Sequence, residues 1–153
     1  MNMRRFLFFA LALLCLVGCS DDFRGYRYSG GFTKGNDFYP LDANFYPSAD
    51  GCDLFVISQT KAGEKVMLSR FIVKVTKDEI KIIDGLDGPP EVRILLNDGT
   101  VYSHKASIIH LVRGTTITVS DYPSLETGRV EFDCFFDRKE KGAFNLYDKR
   151  KRH

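Results

Sequence analysis

The stretch RVEFDCFFD at residues 129–137 decides the fold, because its apolar and polar side chains alternate with a period of two. One face carries Val130, Phe132, Cys134 and Phe136, and the other carries Arg129, Glu131, Asp133 and Asp137. Successive side chains of a β-strand point to opposite faces of its sheet. The pattern therefore predicts a strand with one face in the core and the other in solvent.

The same period recurs along most of the chain. It is clear at 71–76 and 116–120, and further strands are predicted at 54–58, 79–83, 91–96, 101–103 and 143–147. Asp-Gly and Asn-Asp-Gly steps between them supply the positive φ angles of tight turns, and 94–102 is predicted as one hairpin. The sequence thus predicts a single all-β domain of about seven to nine strands, either an antiparallel β-sandwich or a small open β-barrel. A short helix is the alternative for 103–113, whose apolar residues also fit one helical face.

A targeting segment is predicted at residues 1–18. Arg4 and Arg5 precede an apolar run at 6–17, as in a secretory signal peptide. This run of twelve residues is too short for a membrane-spanning helix, which needs roughly 20. Its removal leaves 20 basic and 20 acidic residues, because the segment contains two arginines and no acidic residue. Bulk charge therefore gives no reason to expect a nucleic-acid partner.

The segment ends in Leu16-Val17-Gly18-Cys19. This tetrapeptide resembles the lipobox of bacterial lipoproteins. The resemblance implies cleavage before Cys19, a diacylglyceryl group on its sulfur and a fatty acid on its amine, which together hold the mature chain on a membrane. Ser20 follows the cysteine, and the sorting rule for such lipoproteins then implies the outer membrane, facing the periplasm.

Two further cysteines, Cys52 and Cys134, remain in the mature chain of about 135 residues. An even pair in an oxidising compartment favours a disulfide, which would stabilise by roughly 4 kcal/mol in the chain-entropy model. Two buried thiols are the alternative.

Residues 19–36 contain glycines at 25, 30, 31 and 35 and show no helical or strand period. They are predicted to form a tether between the lipid and a β domain at 37–147, with a basic tail at 148–153. Aromatic residues are nevertheless dense from Phe23 to Tyr46, and Phe-Tyr-Pro occurs twice, at 38–40 and 45–47. These rings either fold back over an open end of the sheet or dock on a partner or on the membrane interface. Phe38, Tyr39, Phe45 and Tyr46 are the candidate partner-binding residues.

Residues suited to catalysis or metal binding are sparse. Ser103 and His104 are adjacent, so a strand would point them to opposite faces, away from a shared proton. His104 and His110 have no cysteine or carboxylate at ligand spacing beside them. The segment 84–88 is interpreted as a turn, not a calcium loop. No catalytic residue, metal site or cofactor is predicted.

The hypothesis that the sequence favours is a non-catalytic lipoprotein that binds an envelope protein, either as an inhibitor or immunity-type factor or as an accessory subunit. A glycan-binding module or a hydrolase with an unrecognised site is the first alternative. A structural lipoprotein is the second.

Overall fold

Within the described residues each predicted strand overlaps a strand of the structure, although the one predicted at 129–137 begins only at Asp133. The computed structural model describes residues 23–48, 51–77, 79–113, 115–121 and 129–141. Within these ranges there are ten strands: β1 Tyr26–Lys34, β2 Asp37–Tyr46, β3 Asp53–Lys61, β4 Glu64–Val75, β5 Ile80–Gly85, β6 Glu91–Leu95, β7 Val101–Lys105, β8 Ile108–Val112, β9 Thr116–Ser120 and β10 Asp133–Lys141.

Eight of these strands close into an antiparallel barrel in the order β1-β10-β9-β8-β5-β4-β3-β2. The all-β prediction is confirmed, and the barrel is closed where an open barrel or a sandwich was expected. The segment 103–113 belongs to strands β7 and β8, so its strand interpretation is confirmed. The described ranges contain one 3-10 turn, Phe23–Gly25, and no helix of the length and apolarity needed to cross a membrane.

Strand β1 closes the barrel, so residues 26–34 of the segment predicted as a tether at 19–36 are part of the β domain instead. It pairs with β2 over its whole second half and with β10 through Gly30↔Phe136 and Gly31↔Phe135. A Cβ atom at Gly30 would overlap the backbone carbonyl of Phe135. Glycine is needed at this position because two strands approach closely, and not because the chain is a flexible linker.

Aromatic rings fill the barrel interior. Phe45 has no exposed surface, and its ring centroid lies 5.5 Å from that of Phe23, 6.4 Å from Tyr28 and 4.7 Å from Phe55. Such edge-on and tilted contacts add to the free energy gained by removing the rings from water. The aromatic density of the N-terminal segment is therefore largely core packing, which was one of the two interpretations left open.

The two Phe-Tyr-Pro copies face opposite sides of the barrel wall. They lie seven residues apart on β2, and an odd separation on a strand reverses which face each side chain takes. In the first copy Phe38 is 58% exposed while Tyr39 is 5% exposed. In the second copy Phe45 is the buried residue and Tyr46 is half-buried.

Strands β6 and β7 form a separate hairpin that packs on β4 and β3. Its register pairs Ile94 with Tyr102, so the hairpin predicted at 94–102 is confirmed. The side chain of Gln59 takes the place of a strand partner: its Nε2 donates to the Leu95 carbonyl at 2.9 Å, and its Oε1 accepts from the Leu95 N–H at 2.8 Å. Val92 and Ile94 are completely buried, so the hairpin is part of the core.

The predicted disulfide is wrong, because Cys52 and Cys134 are not bonded to each other. Cys134 lies on β10, whereas Cys52 directly precedes β3, and both β1 and β2 lie between those strands by the shorter route around the barrel. Neighbouring strands are about 4.8 Å apart. Three such steps exceed the roughly 7 Å between Cα atoms that a disulfide tolerates. Burial raises the pKa of the Cys134 thiol, with a smaller contribution from Asp133, so this thiol is unreactive.

Several predictions fall outside the described residues: the signal peptide, the lipid-bearing Cys19, the strand at 143–147 and the basic tail.

The core assignment predicts unequal effects from the two phenylalanines of the Phe-Tyr-Pro copies. Phe45→Ala should lower the free energy of unfolding by about 3–5 kcal/mol, because it leaves a cavity among Phe23, Tyr28 and Phe55. Phe38→Ala should lower it by less than about 1 kcal/mol, because that ring is more than half exposed. Urea denaturation of both variants measures this difference. Equal losses would contradict the two opposite orientations.

Candidate functional site

A groove runs along the outer wall of the barrel where β2, β1 and β10 lie side by side. It encloses about 350 Å³. Its lining residues come from all three strands and are here called the aromatic groove: Gly30, Gly31, Thr33, Phe38, Asp133, Phe135 and Asp137.

Gly31 makes the floor of the aromatic groove. Its partner on β10 is Phe135 and its partner on β2 is Pro40, so it lies between two apolar residues of the outer face. A Cβ atom at Gly31 would collide with the ring of Phe38 and with the Tyr39 carbonyl oxygen. The missing side chain therefore lets the Phe38 ring lie across β1, and the groove exists because residue 31 is glycine.

The walls are two large aromatic side chains that remain in solvent. Phe38 is 58% exposed, Phe135 is 53% exposed, and Pro40 beside them is also exposed. Single exposed apolar residues are ordinary on protein surfaces, whereas adjacent ones on a stiff sheet form the kind of patch that marks binding sites. Because strands hold these residues, their backbone is already ordered before any partner arrives.

The rim of the aromatic groove is acidic. Asp133 and Asp137 project from β10 on either side of Phe135. Thr116 Oγ1 donates a hydrogen bond to Asp137 Oδ1 at 3.0 Å, which fixes that carboxylate. Burial, and to a smaller extent the charge of Asp121, raises the pKa of Asp133 above its ordinary value. Two carboxyl groups therefore lie beside Phe135 at the rim of the groove.

Of the four candidate partner-binding residues, the structure brings one to this groove. Phe38 forms a wall. Phe45 is core, and Tyr39 is buried with its hydroxyl accepting a hydrogen bond from the Asn97 N–H at 3.3 Å. Tyr46 is half-buried at the far end of β2. Tyr39 and Phe45 are therefore unavailable for docking.

Phe135 is the groove residue that the sequence interpretation missed. Its signal was present, because position 135 falls on the face of β10 that otherwise carries Glu131, Asp133 and Asp137. A phenylalanine on an acidic, solvent-facing side of a strand departs from the alternation that surrounds it. Such an exception to the period indicates a surface apolar residue.

A second groove, of about 490 Å³, follows the edge of β4 between Lys65 and Arg70. Its two arginines already have partners within the protein. Arg70 forms a two-pronged ion pair with Asp87 at 2.9 and 2.6 Å, and Arg93 Nη2 donates to the Leu68 carbonyl at 3.4 Å. Of the segment predicted as a turn at 84–88, residues 84 and 85 end strand β5 and residues 86–88 bend away from it, with both oxygens of Asp87 held by Arg70. This groove is accordingly a weaker candidate than the aromatic groove.

The residues that a hydrolase could use in this region, Ser103, His104 and the nearby Asp98, do not form a catalytic group. Asp98 accepts hydrogen bonds from the N–H and the hydroxyl of Thr100 at 2.9 and 2.6 Å, and so stabilises the turn of the β6–β7 hairpin. His104 lies on β7 beside Asp121. Ser103 is its neighbour on the strand, with the opposite orientation that the sequence predicted.

Comparison with protein-family models, with curated proteins and with solved structures found no match for this chain. Functional inference therefore depends on the site and on the sequence.

Proposed function

We propose that the chain is a lipoprotein, anchored through lipid on Cys19 and facing the periplasm from the outer membrane, whose barrel is a non-catalytic protein-binding module. The partner is a protein of the cell envelope. The barrel acts on it as an inhibitor or immunity-type factor, or joins it as an accessory subunit.

The observation that carries the proposal is the pair of exposed phenylalanines on one rigid wall. Burying a phenylalanine side chain contributes about 1.5–3 kcal/mol relative to leaving it in water. Phe38 and Phe135 flank the same glycine floor, so one apolar side chain of a partner can contact both rings. Two such contacts supply a central cluster of the kind that dominates binding energy in protein interfaces.

The acidic rim specifies what the partner carries beside that apolar side chain. Asp133 and Asp137 bracket Phe135, and a lysine or arginine next to the inserted side chain would lie against them. Complementary charge of this kind mainly raises the association rate and fixes the orientation of the complex. The proposed partner segment is therefore apolar at its centre and basic at its edge.

The lipid anchor sets where the barrel sits. Only three residues separate Cys19 from Phe23, with which the described barrel begins. Fully extended, four residue steps span about 14 Å. The end of the barrel near Phe23 would consequently lie close to the membrane surface, and the partner would approach from the side or from the far end. Gly31 lies eight residues beyond Phe23 along the chain, within strand β1, so the groove is set back from the end of the barrel near the membrane.

A glycan is the alternative occupant of the aromatic groove. Aromatic rings flanked by carboxylates also suit a sugar ring, whose C–H groups pack on the ring face while its hydroxyls donate to the carboxylates. Phe38 and Phe135 with Asp133 provide both elements. The experiment below separates this occupant from a protein.

Lipidation is tested by two cysteine variants of the same targeting segment. Cys19→Ser should accumulate as an unprocessed precursor that incorporates no labelled palmitate, because it lacks the sulfur that carries the lipid. Cys15→Ser is the matched control and should be processed and labelled normally, since Cys15 lies within the apolar run. Labelled, processed Cys19→Ser protein would refute the anchor.

Partner binding is tested by crosslinking the anchored protein in its own envelope and identifying what is captured. Phe38→Ser and Phe135→Ser should each reduce capture of the same protein roughly tenfold, which corresponds to about 1.4 kcal/mol. Ile83→Ser is the matched control, because Ile83 is exposed to a similar degree but lies outside the groove.

Urea denaturation should show that all three serine variants remain folded. Capture that is unchanged in the two phenylalanine variants would refute the aromatic groove as the binding surface. Recovery of glycan alone, or of nothing reproducible, would refute a protein partner.

A further inference from the structure

Three groups with metal-ligating atoms converge at one end of the barrel, outside the aromatic groove. His104 comes from β7, Asp121 directly follows β9, and Glu131 lies two residues before β10. One ligand atom from each lies within 4.8 Å of the others. The three residues are far apart in the sequence, and the folding of the barrel brings them together.

The His104 ring is held in one orientation. Its Nδ1 lies 3.2 Å from the Lys105 carbonyl oxygen, which can only accept, so this contact is a hydrogen bond when Nδ1 carries a proton. The ring also stacks on Phe132, with centroids 5.1 Å apart and planes within 8°. The other nitrogen, Nε2, is left facing Asp121. Histidines that bind metals are typically oriented in this way, by a backbone carbonyl on the nitrogen that does not bind.

Asp121 is also held in a fixed orientation. Its side chain is 11% exposed, and its Oδ1 accepts hydrogen bonds from the N–H groups of Glu131 and Phe132 at 3.2 and 3.4 Å. These two bonds fix the carboxylate and leave Oδ2 directed at His104. Glu131, the third member, is exposed, so its side chain can adjust to a ligand from the solvent side.

The distance between Nε2 of His104 and Oδ2 of Asp121 also fits two ligands of one metal ion. It is 3.5 Å, longer than the roughly 2.7–2.9 Å of a charge-assisted N–H···O bond. Ligands bound tetrahedrally to zinc at about 2.0–2.1 Å are roughly 3.4 Å apart, close to the His104–Asp121 spacing. The ligand atom of Glu131 lies within 4.8 Å of the other two, and its exposed side chain would move inward to complete the site.

We propose that His104, Asp121 and Glu131 form a zinc-binding site, with a water molecule as the fourth ligand. One imidazole and two carboxylates suit zinc better than magnesium, which prefers oxygen ligands alone in octahedral geometry. The ion would join the β6–β7 hairpin to the ends of two barrel strands, β9 and β10. It would therefore stabilise the fold at the point where the hairpin meets the barrel.

Isothermal titration of the chelator-treated mature protein with zinc chloride tests the site. We expect one ion per chain with a Kd of about 10 µM or tighter, and no comparable binding of magnesium chloride. His104→Ala and Glu131→Gln should each weaken zinc binding by about tenfold or more, as loss of a ligand should. His110→Ala is the matched control and should bind zinc normally, because His110 is exposed on β8 and lies outside the cluster.

Two further measurements guard against misfolding and nonspecific binding. Asp121→Asn keeps an oxygen for the two N–H groups, so it should remain folded by circular dichroism while binding zinc more weakly. Cobalt substitution should give the intense visible absorption of a tetrahedral ion. Zinc binding that is absent in the wild-type protein, unchanged in His104→Ala, or equally reduced in His110→Ala would overturn the proposal.

Discussion

The close approach of β1 to β10 at Gly30 is the contact on which the rest of the structure depends. An extra methyl group at this position would push against the Phe135 carbonyl and displace the closing strand. If β1 left the barrel, β2 and β10 would each expose an unpaired edge, and the aromatic core would open to water. The neighbouring Gly31 forms the floor of the groove outside, so two adjacent glycines of β1 underlie barrel closure and the proposed binding surface.

The aromatic residues of the barrel have two roles, packing in the core and forming an exposed surface. Strand period alone decides the division: Tyr28, Phe32 and Phe45 face inward, whereas Phe38 and Phe135 face outward. The inward rings supply much of the apolar surface that stabilises a domain with no disulfide between Cys52 and Cys134. The outward rings contribute little to folding and leave surface that a partner can cover. A shift of one residue in the β2 register would exchange these roles.

Local patterns were sufficient for most of the fold. The alternation at 129–137 predicted β10, and the Asn-Asp-Gly turn predicted the β6–β7 hairpin. The tether interpretation failed because a glycine that permits flexibility and a glycine that permits close packing look the same in a sequence. The disulfide failed for a related reason, since cysteine number carries no information on the positions of β3 and β10 around a barrel.

The candidate sites were less predictable than the strands. Phe38 was singled out correctly, but together with Tyr39 and Phe45, because local sequence does not reveal which face of β2 looks inward. His104 was judged to lack carboxylate neighbours, and along the chain it does lack them. Asp121 and Glu131 reach it only after β7, β9 and β10 have assembled, so no spacing rule connects them.

Native-state hydrogen exchange measured by NMR tests most directly whether residues 26–34 are a structural strand and not a linker. The amides of β1 that bond to β10 and β2 should exchange only through global unfolding, with the same free energy as amides in β3 and β4. If β1 amides exchanged at the rate of an unprotected chain while those of β3 and β4 stayed protected, the closed barrel and the groove built on it would both be contradicted.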